Sequence, residues 1–300
     1  MKKTILTALF VLISSVAASA QLNLPRESQR QEITQIVGDT KISIVYHRPN
    51  VKGREIWGCQ TNDFLPKGGA TYPCLVPYGQ VWRTGANDNT TFEVSNDVTV
   101  NGQKLPAGKY GLHTIPGPNE WTIIFNKVNN EWGSFKYDQK QDQLRVTAKP
   151  QPAPMRETMS INFDAVTPTA TEMVIAWEKI RVPLTIDVGD VKARVLTYLR
   201  GQMNLVKPDD FSSPVTAANY IYSQKMTENY AEAVGWLDAL LKRRETVNAL
   251  ALKANLLADS GNKAEAIAAA ERALELAKTM NPKPNTEALE KRLAEWKTRM

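Results

Sequence analysis

The stretch "TTFEVSNDVTVNGQKLPAGKYGLHTIPGPNEWTIIFNK", residues 90–127, decides the fold class. Its runs alternate between apolar and polar residues and are punctuated by Asn101-Gly102, Pro106-Ala107-Gly108 and Pro116-Gly117-Pro118. Alternation at period 2 is the mark of a half-buried strand. Asn-Gly between two such runs is the strongest short-range hairpin signal, because both residues tolerate positive φ. Upstream, "TKISIVYHRP" (residues 40–49) sets Ile42, Ile44 and Tyr46 against Ser43, Val45 and His47. Downstream, "QLRVTAKP", "ETMSINFDAV", "ATEMVIAWEKI" and "RVPLTIDV" follow at the spacing of a sandwich or barrel. From about Gln31 to Val188 no helical period intervenes, so residues 21–189 are expected to form an all-β, sandwich-like domain.

After Asp190 the period becomes 3.6. Asp190 is placed to cap a helix beginning "VKARVLTYLRGQM", and Ser213 is read as the N-cap of the next, with Pro214 at its first position. "NYAEAVGWLDALLKRR", "ETVNALALKANLLADSG", "NKAEAIAAAERALELAKTM" and "NTEALEKRLAEWKTRM" continue the pattern. Asn229-Tyr230-Ala231-Glu232-Ala233-Val234 recurs as Asn262-Lys263-Ala264-Glu265-Ala266-Ile267, an offset of 33 residues. That is close to the tetratricopeptide period, and the helices resemble that family through Gly261, Ala266 and Ala273. Lys253 and Ala254 depart from its pattern. Residues 190–300 are therefore expected to be an α-helical, tetratricopeptide-like region. It would hold degenerate repeats at 214–246 and 247–280, then a capping helix near 285–299. Helices 214–280 could offer a groove to a protein partner or simply pack as an annex.

The first twenty residues read as a signal peptide. Lys2 and Lys3 precede the apolar run "TILTALFVLISSVA", and Ala18-Ser19-Ala20 supplies an A-x-A cleavage site. The run is short for a membrane span of about 20 residues, and no later segment approaches that length. The expected location is exported, in the periplasm or at the cell surface, with no membrane span after cleavage. The net charge of +6 is spread along the chain. With neither a basic stripe nor a nucleic-acid-reading motif, nucleic acid is not an expected partner. Cys59 and Cys74 are the two cysteines. In an exported chain an even count favours a disulfide over two free thiols.

Catalytic signatures are sparse. The two histidines, His47 and His113, have no G-x-S-x-G elbow to serve, and there is no H-E-x-x-H or phosphate-binding glycine loop. No metal site and no cofactor is expected. Glu55, Asp88 and Glu93 are carboxylates that could converge in a glycan hydrolase or could stand as solvated or salt-bridged groups. The richest constellation is Tyr46, Arg48, Arg54, Trp57, Tyr78, Trp82, Arg83 and Asn87. Arginine offers a planar donor fork for carboxylate, phosphate or sulfate, and Trp and Tyr offer faces on which sugar rings or guanidinium groups stack. These residues could line a pocket for a glycan or anionic ligand, or Arg83 could pair with Asp88 or Glu93 while Trp82 braces the strand end. The expected function is a non-enzymatic binding or interaction module of the cell envelope, and the alternative is an envelope glycan hydrolase.

Several segments carry a resemblance in a fixed order: "VGDTKISIVYHRPNVKGREIWG", "LVPYGQVWRTGANDNTTFEVSNDVTVNGQKLPAGKYGLHTIPGPNEWTIIFNK", Trp132-Gly133 and "WEKIRVPLTI". Together, from near Ser28 to Ile186, they resemble the secreted bacterial family catalogued as domain of unknown function 2911. The resemblance implies a secreted β-rich domain, sometimes followed by helical repeats, and assigns no catalytic residue. In that family "GREIWG" runs almost directly into "LVPYG", whereas here "CQTNDFLPKGGATYPC" is inserted. The resemblance thus implies that the ends of the insertion lie close together and that Cys59 and Cys74 bridge its base. His113 stands where relatives carry an aromatic such as Phe, which argues against a general catalytic role for it.

Overall fold

Gly38 and Asp39 close a two-residue hairpin between β1 (Gln29–Val37) and β2 (Thr40–Arg48), with Gly38 at φ 57°. This is a computed structural model, and it describes residues 24–59 and 74–298. The expected signal peptide at 1–20 and the segment 60–73 between the cysteines lie outside the described residues. The strands continue with β3 (Thr91–Val94), β4 (Val98–Val100), β5 (Gln103–Leu105), β6 (Gly108–Ile115), β7 (Trp121–Asn126), β8 (Asp142–Ala148), β9 (Gln151–Asp164) and β10 (Ala170–Asp187). They form two antiparallel sheets, ordered β1-β2-β3-β6-β7-β8 and β5-β4-β10-β9.

The 90–127 stretch does form strands, and its Asn-Gly turn is a hairpin with Asn101 at φ 47° and Gly102 at φ 80°. Positive φ at both central residues is the geometry that follows the right-handed strand twist. That hairpin belongs to the second sheet, however, while β3 and β6 pair with each other in the first, Phe92 opposite Tyr110. The chain changes sheets after β3 and again before β6. Asn101 also ties the layers: its Nδ2 donates to Thr147 O (2.8 Å) on β8, and its Oδ1 accepts from Thr185 N (2.9 Å) on β10.

Inward side chains of both sheets form one buried cluster, from Ile44, Phe92 and Phe125 on one side to Ile161, Ile175 and Leu184 on the other. Burying a side chain of this size contributes about 1.5–3 kcal/mol relative to leaving it exposed. At Glu178 (φ 53°) the β9–β10 register shifts. Beside that break the neighbouring Trp177 is only 1% exposed.

Between Asp187 and Val191 strand gives way to helix, with α1 (Val191–Met203), α2 (Ser213–Ser223), α3 (Tyr230–Leu241), α4 (Val247–Asp259), α5 (Lys263–Lys278) and α6 (Glu287–Thr298). Asp190 caps α1 as expected, accepting from Ala193 N at 3.0 Å. The start of α2 differs by one residue: Ser212 is the N-cap, and Asp210 Oδ1 accepts from the N–H groups of Ser212 and Ser213, both at 3.0 Å. A carboxylate three residues upstream satisfies these donors better than a serine hydroxyl, so Ser213 becomes helical. Ala254, Ala270, Ala273 and Ala277 pack α4, α5 and α6 through small side chains. The helices meet the sheets where Arg194 of α1 forks onto Asp39 (2.6–3.2 Å) and the Val191 side chain lies against Gly38. Among the described residues no helix is long and apolar enough to cross a membrane.

Candidate functional site

Residues 55–58 and 74–76 run side by side: Leu75 N donates to Glu55 O (3.0 Å), Val76 N to Ile56 O (2.7 Å) and Gly58 N to Val76 O (3.3 Å). Cys59 and Cys74 are joined at this point with their Cα atoms 5.5 Å apart, so the ends of the insertion are neighbours. The two arginine- and aromatic-bearing segments are thereby brought together.

A cleft of about 180 Å³ lies where they meet, lined by Lys52, Arg54, Trp82 and Arg83, with Glu27 as its one carboxylate. Glu27 is spent on Lys52, which holds its carboxyl below the usual carboxylate range. Arg54 braces its own loop, donating to Val51 O (3.1 Å) and Asn50 O (2.5 Å). Arg83 is half-buried. Its Nη1 donates to Asn87 O (2.6 Å), and its guanidinium lies 5.9 Å from the Trp132 ring centre and 6.0 Å from that of Phe135. Burial lowers the Arg83 pKa, with Asp88 opposing the shift. Among the described residues neither Arg83 nor Arg54 forms a salt bridge, so the pairing of Arg83 with Asp88 or Glu93 raised by the sequence is not made. Asp88 instead meets Arg26 at 2.8 Å and faces His47 at 3.8 Å.

The other sequence-selected residues take structural positions. Tyr46 is 0% exposed and leaves no surface to a ligand. Its hydroxyl accepts from Ile161 N (2.8 Å) and donates to Gln31 Oε1 (2.6 Å), which closes the free edge of β9. Arg48 serves the same edge through Met159 O (2.8 Å). Trp57 backs the cleft in a cluster with Trp82, Trp121 and Trp177, at ring separations of 5.1–6.3 Å. Trp82 is fixed by its indole bond to Gly85 O (3.1 Å) and by paired backbone bonds to Thr114. Tyr78 packs over Gly58. Asn87, at φ 58°, shapes the turn whose carbonyl holds Arg83. Of the eight, Arg54, Trp82 and Arg83 share the cleft. Sequence reasoning missed Glu27, Lys52 and the Trp132–Phe135 loop. The Trp132-Gly133 motif was the available signal for that loop.

The three carboxylates do not converge with one another: Asp88 lines a neighbouring cavity with Arg26, Arg30 and His47, Glu93 lines another on the outer sheet face together with Glu32, and Glu55 lines none of the cavities described. His113 is 3% exposed, with Nδ1 3.0 Å from Ser134 Oγ. Its Nε2 faces Asn89 Nδ2 at 3.5 Å, and Asn89 is oriented by Glu131 N (2.5 Å) and Gly133 O (2.9 Å). An amide nitrogen only donates, so Nε2 accepts and Nδ1 carries the proton toward Ser134. This tautomer has no lone pair to take the serine proton. Burial brings the His113 pKa down to about 4. Among the described residues no cluster of His, Cys, Asp and Glu is arranged to hold a metal ion.

The family model described as Protein of unknown function (DUF2911) matches residues 28–186, more than half of the chain and the whole of the cleft apart from Glu27. No curated protein and no solved structure matches. A match of that extent, running from the first strand to the last, makes this chain a member of the DUF2911 family.

Proposed function

We propose that this chain is an exported, non-enzymatic binding module whose cleft at Arg83, Arg54 and Lys52 holds an anionic group of a ligand: a carboxylate, sulfate or phosphate. The observation that carries this reading is the half-buried Arg83 guanidinium, which donates to a backbone carbonyl and has no carboxylate within salt-bridge distance among the described residues. Taking a cation partly out of water is costly unless an anion meets it, and a planar donor fork suits a bidentate oxyanion. The signal-peptide pattern, the Cys59–Cys74 bridge and the lack of a membrane-spanning helix among the described residues are compatible with export. A hydrolase would need two carboxyl groups about 5–10 Å apart in one cleft. Here Glu27 stands alone in the cleft and is committed to Lys52, so the geometry favours binding.

The helical region supports a tetratricopeptide-like reading. Its two helix pairs begin at Ser213 and Val247, with second members at Tyr230 and Lys263, offsets of 34 and 33 residues. Between 214 and 280 Met280 is the one large apolar side chain exposed, so this surface lends no support to a protein partner.

Calorimetric titration with sulfate and with glucuronate tests the cleft. Arg83→Ala should weaken binding about tenfold or more, the scale of a lost charge-assisted pair, with thermal unfolding little changed. Undiminished binding by a folded Arg83→Ala protein would overturn the reading.

A further inference from the structure

Arg83 is shared between the cleft and an exposed aromatic loop on its other side. Phe135 is 81% exposed and Trp132 51%. Phe135 lies against Gly133, where a Cβ would stand 2.8 Å from its ring and where φ is 69°. Trp132 has Arg26 at 5.3 Å and Arg83 at 5.9 Å from its ring centre. Phe135 thus touches the Gly133 backbone along one ring edge, has the Arg83 guanidinium 6.0 Å from its centre, and leaves most of its surface open for a ring to stack on. The cavity of about 360 Å³ lined by Arg26, Arg30, His47 and Asp88 adjoins the first cleft, since Ser28 lines both. Five cationic side chains line the two cavities: Arg26, Arg30 and Lys52 are paired with Asp88, Glu32 and Glu27, and Arg54 and Arg83 have no ion pair among the described residues.

From the two adjoining basic cavities and the exposed Trp132–Phe135 platform beside Arg83, we infer that the ligand is a linear acidic glycan, a chain of uronic-acid-type sugars spanning more than one residue. The inference rests on the anion-binding reading of the cleft and extends it. A single anion would use Arg83 and leave the second cavity and the platform idle. A chain places one carboxylate at Arg83 and Arg54, stacks a neighbouring ring on Phe135, and brings a further acidic sugar to Arg26 and Arg30. Glu27 and Asp88 can accept hydrogen bonds from the hydroxyls that a sugar chain carries on every ring, donors that the backbone of a single DNA strand lacks.

The test measures affinity for galacturonate, its trimer and its hexamer, with a neutral cello-hexaose and an oligothymidylate as comparators. Affinity should rise at least about tenfold from monomer to hexamer. Phe135→Ala should remove about tenfold from the hexamer, the upper scale of an aromatic stack, and leave the monomer unchanged. Arg26→Ala should likewise weaken only the longer ligands. Affinity independent of length, or a hexamer unaffected by Phe135→Ala, overturns the inference. So does tighter binding of cello-hexaose or oligothymidylate than of the acidic hexamer. If sulfate binding depends on Arg83 while no acidic oligomer gains over the monomer, the cleft reading stands and the glycan inference fails. If neither sulfate nor any uronate binds, both fail.

Discussion

Tyr46 shows how much one hydroxyl can hold. It gives the buried Ile161 N–H a partner on the outer edge of β9, just past the stretch bridged by residues 49–51. Tyr46→Phe keeps the ring and orphans that donor, which should cost about 1–3 kcal/mol, read as a lower midpoint in urea unfolding with the slope unchanged. His113 makes a pH prediction. Its folded pKa of about 4 lies below the ordinary value near 6.5, so the unfolded chain binds the proton more readily. Stability from this residue is complete above about pH 6.5 and declines as pH falls toward 4, by about 3 kcal/mol at most. Urea unfolding at stepped pH should show a steeper loss over that window in the native protein than in His113→Gln. Equal slopes would mean that His113 is not held neutral by its surroundings.

Among the elements, the paired segments 55–58 and 74–76 form the wall behind the cleft, and the disulfide closes the loop between them. Removing it with Cys59→Ser and Cys74→Ser together should cost about 3 kcal/mol on the chain-entropy account of a loop this length. Because Leu75 lines the cleft beside Arg83, ligand affinity should fall along with the melting temperature. A variant that melts lower but binds unchanged would separate the wall from the site. The Asn101-Gly102 hairpin was legible from its residues, because positive φ at both central positions has few alternatives. Its placement in the second sheet was not legible. Strands that leave one sheet and strands that stay in it carry the same alternation, since each buries one face either way.

For the molecule as a whole, the connection between sheets and helices rests on few groups, chiefly the Arg194 fork on Asp39 and Val191 against Gly38. Arg194 holds the Asp39 carboxyl below its usual range, so this contribution is present above the ordinary carboxylate pKa and is lost as pH falls through the lowered value. The pair is about a quarter to a third exposed, so Arg194→Ala should cost only about 1 kcal/mol. It should nevertheless raise protease cleavage and amide exchange near residues 188–191, where a short connection carries the load. Exchange unchanged there would show that apolar contact alone holds the junction.

By itself the sequence determined the fold class of each half, the strand-to-helix switch near Asp190 and the hairpin turns, and it favoured a disulfide that the structure then showed. Each follows from local chemistry: periodicity, capping, positive-φ residues and an even thiol count. The candidate site was legible only in part. Arg54, Trp82 and Arg83 proved to share a cleft, while Tyr46 and Arg48 went to the edge of β9 and Trp57 to the tryptophan cluster. Which arginines keep a free fork, and which exposed rings stand beside them, was decided by the tertiary structure alone. The reason is physical: a guanidinium that caps a strand edge and one that faces a cleft are the same residue type. They differ in which groups the fold brings to them: the Met159 carbonyl, 111 positions away, for Arg48, and the rings of Trp132 and Phe135 for Arg83.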